Sequence, residues 1–134
     1  AEFELKAHEM AEKGEPLTPE SLCSLYHGLL EQYFGPAVEI DPYMDWEWAR
    51  IPHFYSAFYV FKYATGFSAA AAISRRLLDG QGWDSYLAFL GAGGSDYPAE
   101  TLKRAGVDMS TPEPMRIALK EFASLVDDLA ALMP

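Results

Sequence analysis

Apolar residues recur at helical spacing along most of the chain, and turns that contain glycine or proline separate these stretches. Residues 2–13 predict a first helix, which Gly14 and Pro16 end. A second helix is predicted to begin at Thr18, because threonine is a favoured N-cap and Pro19 suits the first helical position. Its apolar side follows the 3.6-residue period and comprises Leu22, Leu25, Tyr26, Leu29, Leu30 and Tyr33.

In residues 37–50, Val38, Ile40 and Pro42 predict an extended connection, and a short helical turn that opens at residues 45–48 is the alternative. The stretch from His53 to Leu78 then predicts one long helix with an interruption near Gly66. The second half of this stretch, residues 68–72, is built of serine and alanine, which let another helix come close. The first half is aromatic, with Phe54, Tyr55, Phe58, Tyr59, Phe61, Tyr63 and Phe67.

Shorter helical patterns follow over residues 83–91, with Asp84 or Ser85 as the predicted cap, and over residues 98–104. A capped start at Ser110-Thr111 predicts a last helix that ends near Leu132. The apolar face of this helix is predicted to comprise Ile117, Leu119, Phe122, Leu125, Val126 and Leu129. Because no run alternates with the period of a strand, the sequence predicts an all-α chain of about five to six helices forming one segment over residues 1–134.

Composition narrows the functional classes. The chain has 134 residues, half of them apolar, which suits one folded domain. Its net charge of −10 disfavours nucleic-acid binding, because such a surface repels phosphate. No run of 18 or more residues is apolar throughout, so no membrane span is expected. One cysteine, Cys23, excludes an internal disulfide and fits a reducing compartment.

Two of the three histidines carry little chemical signal. His8-Glu9 begins like a zinc-protease motif, but that motif needs a second histidine four residues on, and position 12 is Glu12. His8 and Glu12 could together bind a metal. The favoured interpretation is that they are simply two polar residues on a solvent-exposed helix. His27 follows Tyr26 in the second helix and is interpreted as structural.

His53 precedes three tyrosines at a spacing of four residues, Tyr55, Tyr59 and Tyr63. On one helix this spacing places the phenols along one drifting stripe. Histidine and tyrosine are donors that could hydrogen-bond the oxyanion formed when a peptide carbonyl is attacked. Aromatic stripes at helical spacing are also typical of a core, so an acidic scaffold whose tyrosines are only buried is the alternative.

Several motifs occur across the whole chain: Trp48-Ala49-Arg50-Ile51-Pro52-His53-Phe54-Tyr55, Tyr63-Ala64-Thr65-Gly66-Phe67-Ser68, Gly93-Gly94-Ser95 with Tyr97-Pro98, and Ala105-Gly106-Val107-Asp108-Met109. In sequence and in order they resemble the C-terminal region of the oligoendopeptidase F family, which is similar to thimet oligopeptidase. The resemblance implies an all-helical, cytoplasmic zinc metallopeptidase that cleaves short peptides. It implies zinc ligands in an HExxH helix and a following helix, upstream of this segment, so no ligand is expected here.

The resemblance also implies roles for individual residues. His53 matches a family histidine that hydrogen-bonds the substrate and the tetrahedral intermediate, and Tyr63 is the best match to the tyrosine that stabilises the oxyanion. Tyr55 and Tyr59 compete for a substrate-binding role, and Tyr55 ranks first because it lies nearer His53.

The chain begins without methionine, so we expect a fragment of a longer protein. The resemblance implies that this fragment, which lacks HExxH, is inactive alone. Truncation would expose apolar faces, through which we expect self-association. A non-catalytic helical module that binds peptides is the alternative from another functional class.

Overall fold

The computed structural model describes residues 1–133 and confirms the all-α class: this range contains six α-helices and two 3₁₀ helices, and no strand. The two 3₁₀ helices take the number of helical segments above the predicted five to six. The α-helices are α1 (Glu2–Glu12), α2 (Pro19–Phe34), α3 (Phe61–Leu78), α4 (Trp83–Ala92), α5 (Pro98–Arg104) and α6 (Glu113–Leu132), and the 3₁₀ helices span Pro42–Arg50 and Pro52–Tyr55.

The chain forms two compact units, one over Ala1–Phe61 and one that begins at Lys62. In the first unit, the Phe3 side chain is 7% exposed and is the centre of an aromatic cluster. Its ring packs edge-on against Tyr26 of α2 at 5.3 Å between centroids, and lies 5.9 Å from Trp48 and 5.4 Å from Phe54 of the 3₁₀ helices. One residue of α1 therefore joins α2 to both 3₁₀ helices.

The predicted start of α2 is confirmed in atomic detail. The Ser21 amide donates to Oγ1 of Thr18 at 3.2 Å, and the Thr18 amide donates to Oγ of Ser21 at 3.0 Å. This reciprocal capping box satisfies two backbone donors that a helix start leaves without partners. Pro19 occupies the first turn, as predicted.

The long helix predicted from His53 to Leu78 is wrong in its first half. Pro52 begins a 3₁₀ helix that ends at Tyr55, and α3 begins only at Phe61. Between them Phe58 has a φ of 55°, in the left-handed region, so a right-handed helix cannot continue through it. The interruption predicted near Gly66 is also wrong, because Gly66 lies inside α3.

Two predicted caps are wrong as well. The N-cap of α4 is Gly82 in the left-handed conformation, and neither Asp84 nor Ser85 takes that position. The N-cap of α6 is Pro112, without a side-chain cap. The predicted end of α6 at Leu132 is confirmed.

The second unit is built on the small side chains of α3. Ala69 and Ala72 are buried together with Val107, and Ile73, Leu102, Met109 and Ile117 pack against this cluster. Ser68 is 2% exposed, and its hydroxyl donates to the Ala64 carbonyl at 2.7 Å. The small residues therefore allow close packing, as the sequence predicts.

The remaining apolar face of α6 is exposed on the described chain. Its side chains are between 47% and 66% exposed at Leu119, Phe122, Leu125, Val126 and Leu129. The predicted self-association through such faces stays a prediction. No helix within residues 1–133 is long and apolar enough to cross a lipid bilayer.

An imidazole–carboxylate pair joins α2 to the 3₁₀ helix Pro42–Arg50. Nδ1 of His27 donates to Oδ1 of Asp45 at 2.7 Å, and Glu31 lies 3.6 Å from Nε2. The Asp45 carboxylate, through this hydrogen bond, raises the pKa of His27 above its ordinary value. The bond supports the interpretation of His27 as a structural residue.

We expect Asp45→Asn to lower the pKa of His27 toward the ordinary value of about 6.5. Because the folded-state pKa is raised, the stabilisation from this pair is fully present below about pH 6.5 and is lost as the pH rises through the raised pKa. An NMR titration of the imidazole measures the shift, and Glu31→Gln, which removes the more distant carboxylate, should have a smaller effect. An unchanged His27 pKa in Asp45→Asn would contradict the assignment.

Candidate functional site

His53 and Tyr59 form an aromatic pair in the first unit, although they do not share a helix. Their rings lie 5.5 Å apart between centroids with 30° between the planes. Two successive turns bring them together: the Ser56 amide donates to the His53 carbonyl at 3.1 Å, and the Tyr59 amide donates to the Ser56 carbonyl at 3.2 Å. The pairing therefore comes from a tight loop.

The predicted stripe of three phenols on one helix is wrong. Tyr55 ends a 3₁₀ helix, Tyr59 lies in the loop that follows, and Tyr63 is the third residue of α3 in the second unit. Their exposed fractions are 87% for Tyr55, 39% for Tyr59 and 59% for Tyr63. None of the three is buried among the described residues, so in this chain the tyrosines do not form a core.

The loop between His53 and Tyr59 is held by α1. The Phe58 amide donates to Oε1 of Glu4 at 2.5 Å, and Glu4 is 5% exposed. The Phe58 ring packs against the His8 ring at 4.4 Å between centroids, and Nδ1 of His8 lies 2.8 Å from the Glu4 carbonyl oxygen. A left-handed non-glycine residue costs about 1–3 kcal/mol, so it persists only where its surroundings enforce it.

The sequence analysis gave Glu4 no role and counted Phe58 only among the aromatic residues of the predicted helix. The structure shows that Glu4 directly follows the buried Phe3 and is itself buried, where a charged residue is unexpected. His8 is accounted for by packing and by its bond to the backbone, so its resemblance to a zinc-motif histidine has a structural explanation.

Tyr55 lines an open apolar groove of about 430 Å³ in the first unit. Phe3, Trp48 and Phe54 form part of its wall, and Leu17 and Leu22 line another part. The indole Nε1 of Trp48 is buried and has no hydrogen-bond acceptor among the residues described. The groove therefore combines apolar surface with an exposed phenol beside it, which suits an apolar side chain next to a polar backbone.

The sequence profile of peptidase family M3 matches residues 1–121. The chain belongs to peptidase family M3. Oligopeptidase PepF of Bacillus subtilis (strain 168) is 49% identical over 135 residues, a match that covers 99% of this chain and 20% of that protein. The chromosomal oligoendopeptidase F of Lactococcus lactis subsp. cremoris is 45% identical, with 99% of this chain and 22% of that protein covered.

A solved structure supports the same family assignment. The crystal structure of oligoendopeptidase-F from Enterococcus faecium superposes with a TM-score of 0.90 and 45% sequence identity, covering 99% of this chain and 26% of that chain. The chain thus spans about a fifth of the length of the curated relatives that it matches. The resemblance seen in the sequence is confirmed at the level of family and fold.

The structure pairs His53 with Tyr59, places Tyr55 at the groove, and places Tyr63 at the exposed start of α3 in the second unit. Within residues 1–133, no group of three or more histidine, cysteine, aspartate or glutamate side chains is arranged to hold a metal ion. The chemistry that these residues offer is hydrogen-bond donation from an imidazole and from phenols.

Proposed function

We propose that this segment is part of a zinc-dependent endopeptidase that hydrolyses peptide bonds in short peptides in the cytoplasm. In this proposal the segment supplies hydrogen bonds to the substrate and to the oxyanion, and the zinc ligands lie elsewhere in the full-length protein. The observation that carries the proposal is the exposed pair of His53 and Tyr59 on a segment that is 49% identical to Oligopeptidase PepF.

The donors are suited to the charge that develops during peptide hydrolysis. Attack on the scissile carbonyl moves negative charge onto its oxygen, and donors aimed at that oxygen stabilise the transition state more than the substrate. We assign this role to Tyr63, with His53 donating to the substrate and to the tetrahedral intermediate. Zinc would supply a Lewis acid to the full-length enzyme, and in this proposal its ligands lie outside the segment.

Hydrolysis of a quenched fluorescent peptide tests the proposal. The full-length protein should cleave the peptide, lose activity when a chelator removes the metal, and recover it when zinc is returned. The 134-residue chain should show no turnover under the same conditions. Zinc-dependent turnover by the 134 residues alone would contradict this division of roles and would direct attention to His8, Glu12 and His53 as ligands.

The second candidate is a non-catalytic helical module that binds peptides, and the apolar groove beside Tyr55 is the observation that favours it. Such a module would bind short peptides and release them intact. Equilibrium binding measured by calorimetry, followed by mass spectrometry of the recovered peptide, distinguishes the two. An intact peptide recovered from the zinc-loaded full-length protein favours the module.

Tyr55 is the better candidate for contact with substrate, because it is 87% exposed and lines the groove, whereas Tyr59 is 39% exposed and packs on His53. We expect Tyr55→Phe in the full-length enzyme to raise KM by roughly 3- to 10-fold, the value of one net hydrogen bond, with kcat nearly unchanged. Tyr59→Phe is the matched control and should change KM less. The opposite order in steady-state kinetics would reassign the contact to Tyr59.

A further inference from the structure

Glu4, a charged residue outside the proposed site, is buried against the loop that joins His53 to Tyr59. Glu4 lies in α1, is 5% exposed, and accepts a hydrogen bond from the Phe58 amide at 2.5 Å. Burying a carboxylate is unfavourable unless hydrogen bonds compensate, and charge-assisted bonds are short and strong. The bond to Phe58 is therefore the contact that accounts for a glutamate at this buried position.

The residue that Glu4 holds is in a conformation that it would not adopt by itself. Phe58 is the only non-glycine residue with a positive φ among residues 1–133. Its amide is held by Glu4 and its ring lies against His8, whose Nδ1 is in turn bonded to the Glu4 carbonyl. One turn of α1 thus holds both the backbone and the side chain of Phe58.

The conformation of Phe58 decides where Tyr59 lies. The turns from His53 to Ser56 and from Ser56 to Tyr59 share Ser56, and Phe58 lies inside the second turn, directly before Tyr59. If Phe58 returned to a negative φ, the chain after it would leave in another direction and the Tyr59 ring would move away from His53. The 5.5 Å ring pair therefore depends on a bond made on another helix.

We infer that Glu4 is a positioning residue: its buried carboxylate holds Phe58 in the left-handed conformation and so keeps Tyr59 packed on His53, the donor proposed for the tetrahedral intermediate. The expected effect on catalysis rests on the proposed function, whereas the bond from the Phe58 amide to Glu4 does not depend on that function. Glu4 itself does not contact the substrate, because it is buried.

The test uses three variants of the full-length protein. Glu4→Leu removes the acceptor at similar size, and Glu4→Gln retains a carbonyl oxygen at the same place. Glu9→Leu is the matched control, because Glu9 is an exposed glutamate on the same helix. Amide hydrogen exchange at Phe58, followed by mass spectrometry of peptides spanning residues 54–60, reports the bond without requiring activity. Steady-state hydrolysis of a fluorescent peptide reports the consequence.

We expect Glu4→Leu to accelerate exchange at Phe58 by at least tenfold and to lower kcat by roughly 10- to 100-fold, since a small misplacement of a donor has effects of this size. KM should change little. Glu4→Gln should recover most of kcat, and Glu9→Leu should behave as wild type. Recovery by glutamine with a loss confined to kcat is not expected from a general loss of stability.

Three outcomes overturn the inference. Unchanged exchange at Phe58 in Glu4→Leu would show that the bond does not hold the loop. Faster exchange with unchanged kcat would show that the loop is held but does not position the site. Equal losses in Glu4→Leu and Glu9→Leu would show a general effect on α1. Failure of the proposed function is recognised separately, because the wild-type protein would then show no zinc-dependent hydrolysis while the exchange result at Phe58 still stood.

Discussion

Replacing Tyr63 by phenylalanine in the full-length protein should lower kcat by roughly 10²- to 10³-fold, the effect of removing one oxyanion donor. KM should change only modestly, because the hydroxyl is expected to act on charge that is present in the transition state and largely absent from the bound substrate. Tyr63 is the third residue of α3 and is 59% exposed, so loss of its hydroxyl should leave the packing of the helix intact. Steady-state kinetics on a short fluorescent peptide measures both constants.

Tyr43→Phe is the matched control for this substitution. Tyr43 is 85% exposed and lies in the 3₁₀ helix Pro42–Arg50, outside the proposed site, so loss of its hydroxyl should leave kcat and KM unchanged. If Tyr63→Phe behaved like Tyr43→Phe, the oxyanion role would have to be assigned to another donor. A rise in KM without a fall in kcat would instead make Tyr63 a contact to the ground state.

Replacing His53 by phenylalanine should lower kcat/KM by roughly 10²-fold, because the substrate and the tetrahedral intermediate would lose an imidazole donor. Phenylalanine is chosen because it retains an aromatic ring against Tyr59, which lies 5.5 Å away between centroids. A loss in His53→Phe would therefore come from the missing nitrogen atoms, since the ring contact remains. Hydrolysis of the same fluorescent peptide gives the measurement.

His27→Phe is the control, since His27 is a half-buried histidine of the same unit whose bond to Asp45 is structural. It should lower thermal stability but leave kcat/KM near the wild-type value. Wild-type activity in His53→Phe would mean that the His53–Tyr59 pair is a packing contact. Equal losses of activity in the two variants would point to a general effect of placing phenylalanine in the first unit.

The start of α2 could be predicted from sequence because the relevant bonds are local. Thr18 and Ser21 are three residues apart and bond each other within the first turn, and Pro19 pre-sets the backbone between them. The end of α1 at residues 14–16 was predicted for the same reason. In contrast, both side-chain caps predicted for α4 and α6 failed, because a residue with capping chemistry need not adopt the N-cap conformation.

The sequence predicted which residues belong to the candidate site, but it predicted the wrong arrangement, with all of them on one helix. His53 and the tyrosines could be selected because their donor chemistry and the motif around them are visible in the sequence. Their assumed helix is absent because Phe58 is left-handed. Aromatic residues at spacings of four predict a helical stripe only if the backbone between them is helical, and periodicity cannot report a single residue that breaks it.

The sequence by itself determined the all-α class, most helix boundaries and the resemblance to a peptidase family, since these depend on neighbours within a few positions and on motifs read along the chain. Only the tertiary structure decided that residues 56–60 form a loop and that His53 meets Tyr59 there. The physical reason is the bond from the Phe58 amide to Glu4, across 54 positions of sequence. A buried carboxylate so far away stabilises a backbone conformation that local preferences disfavour.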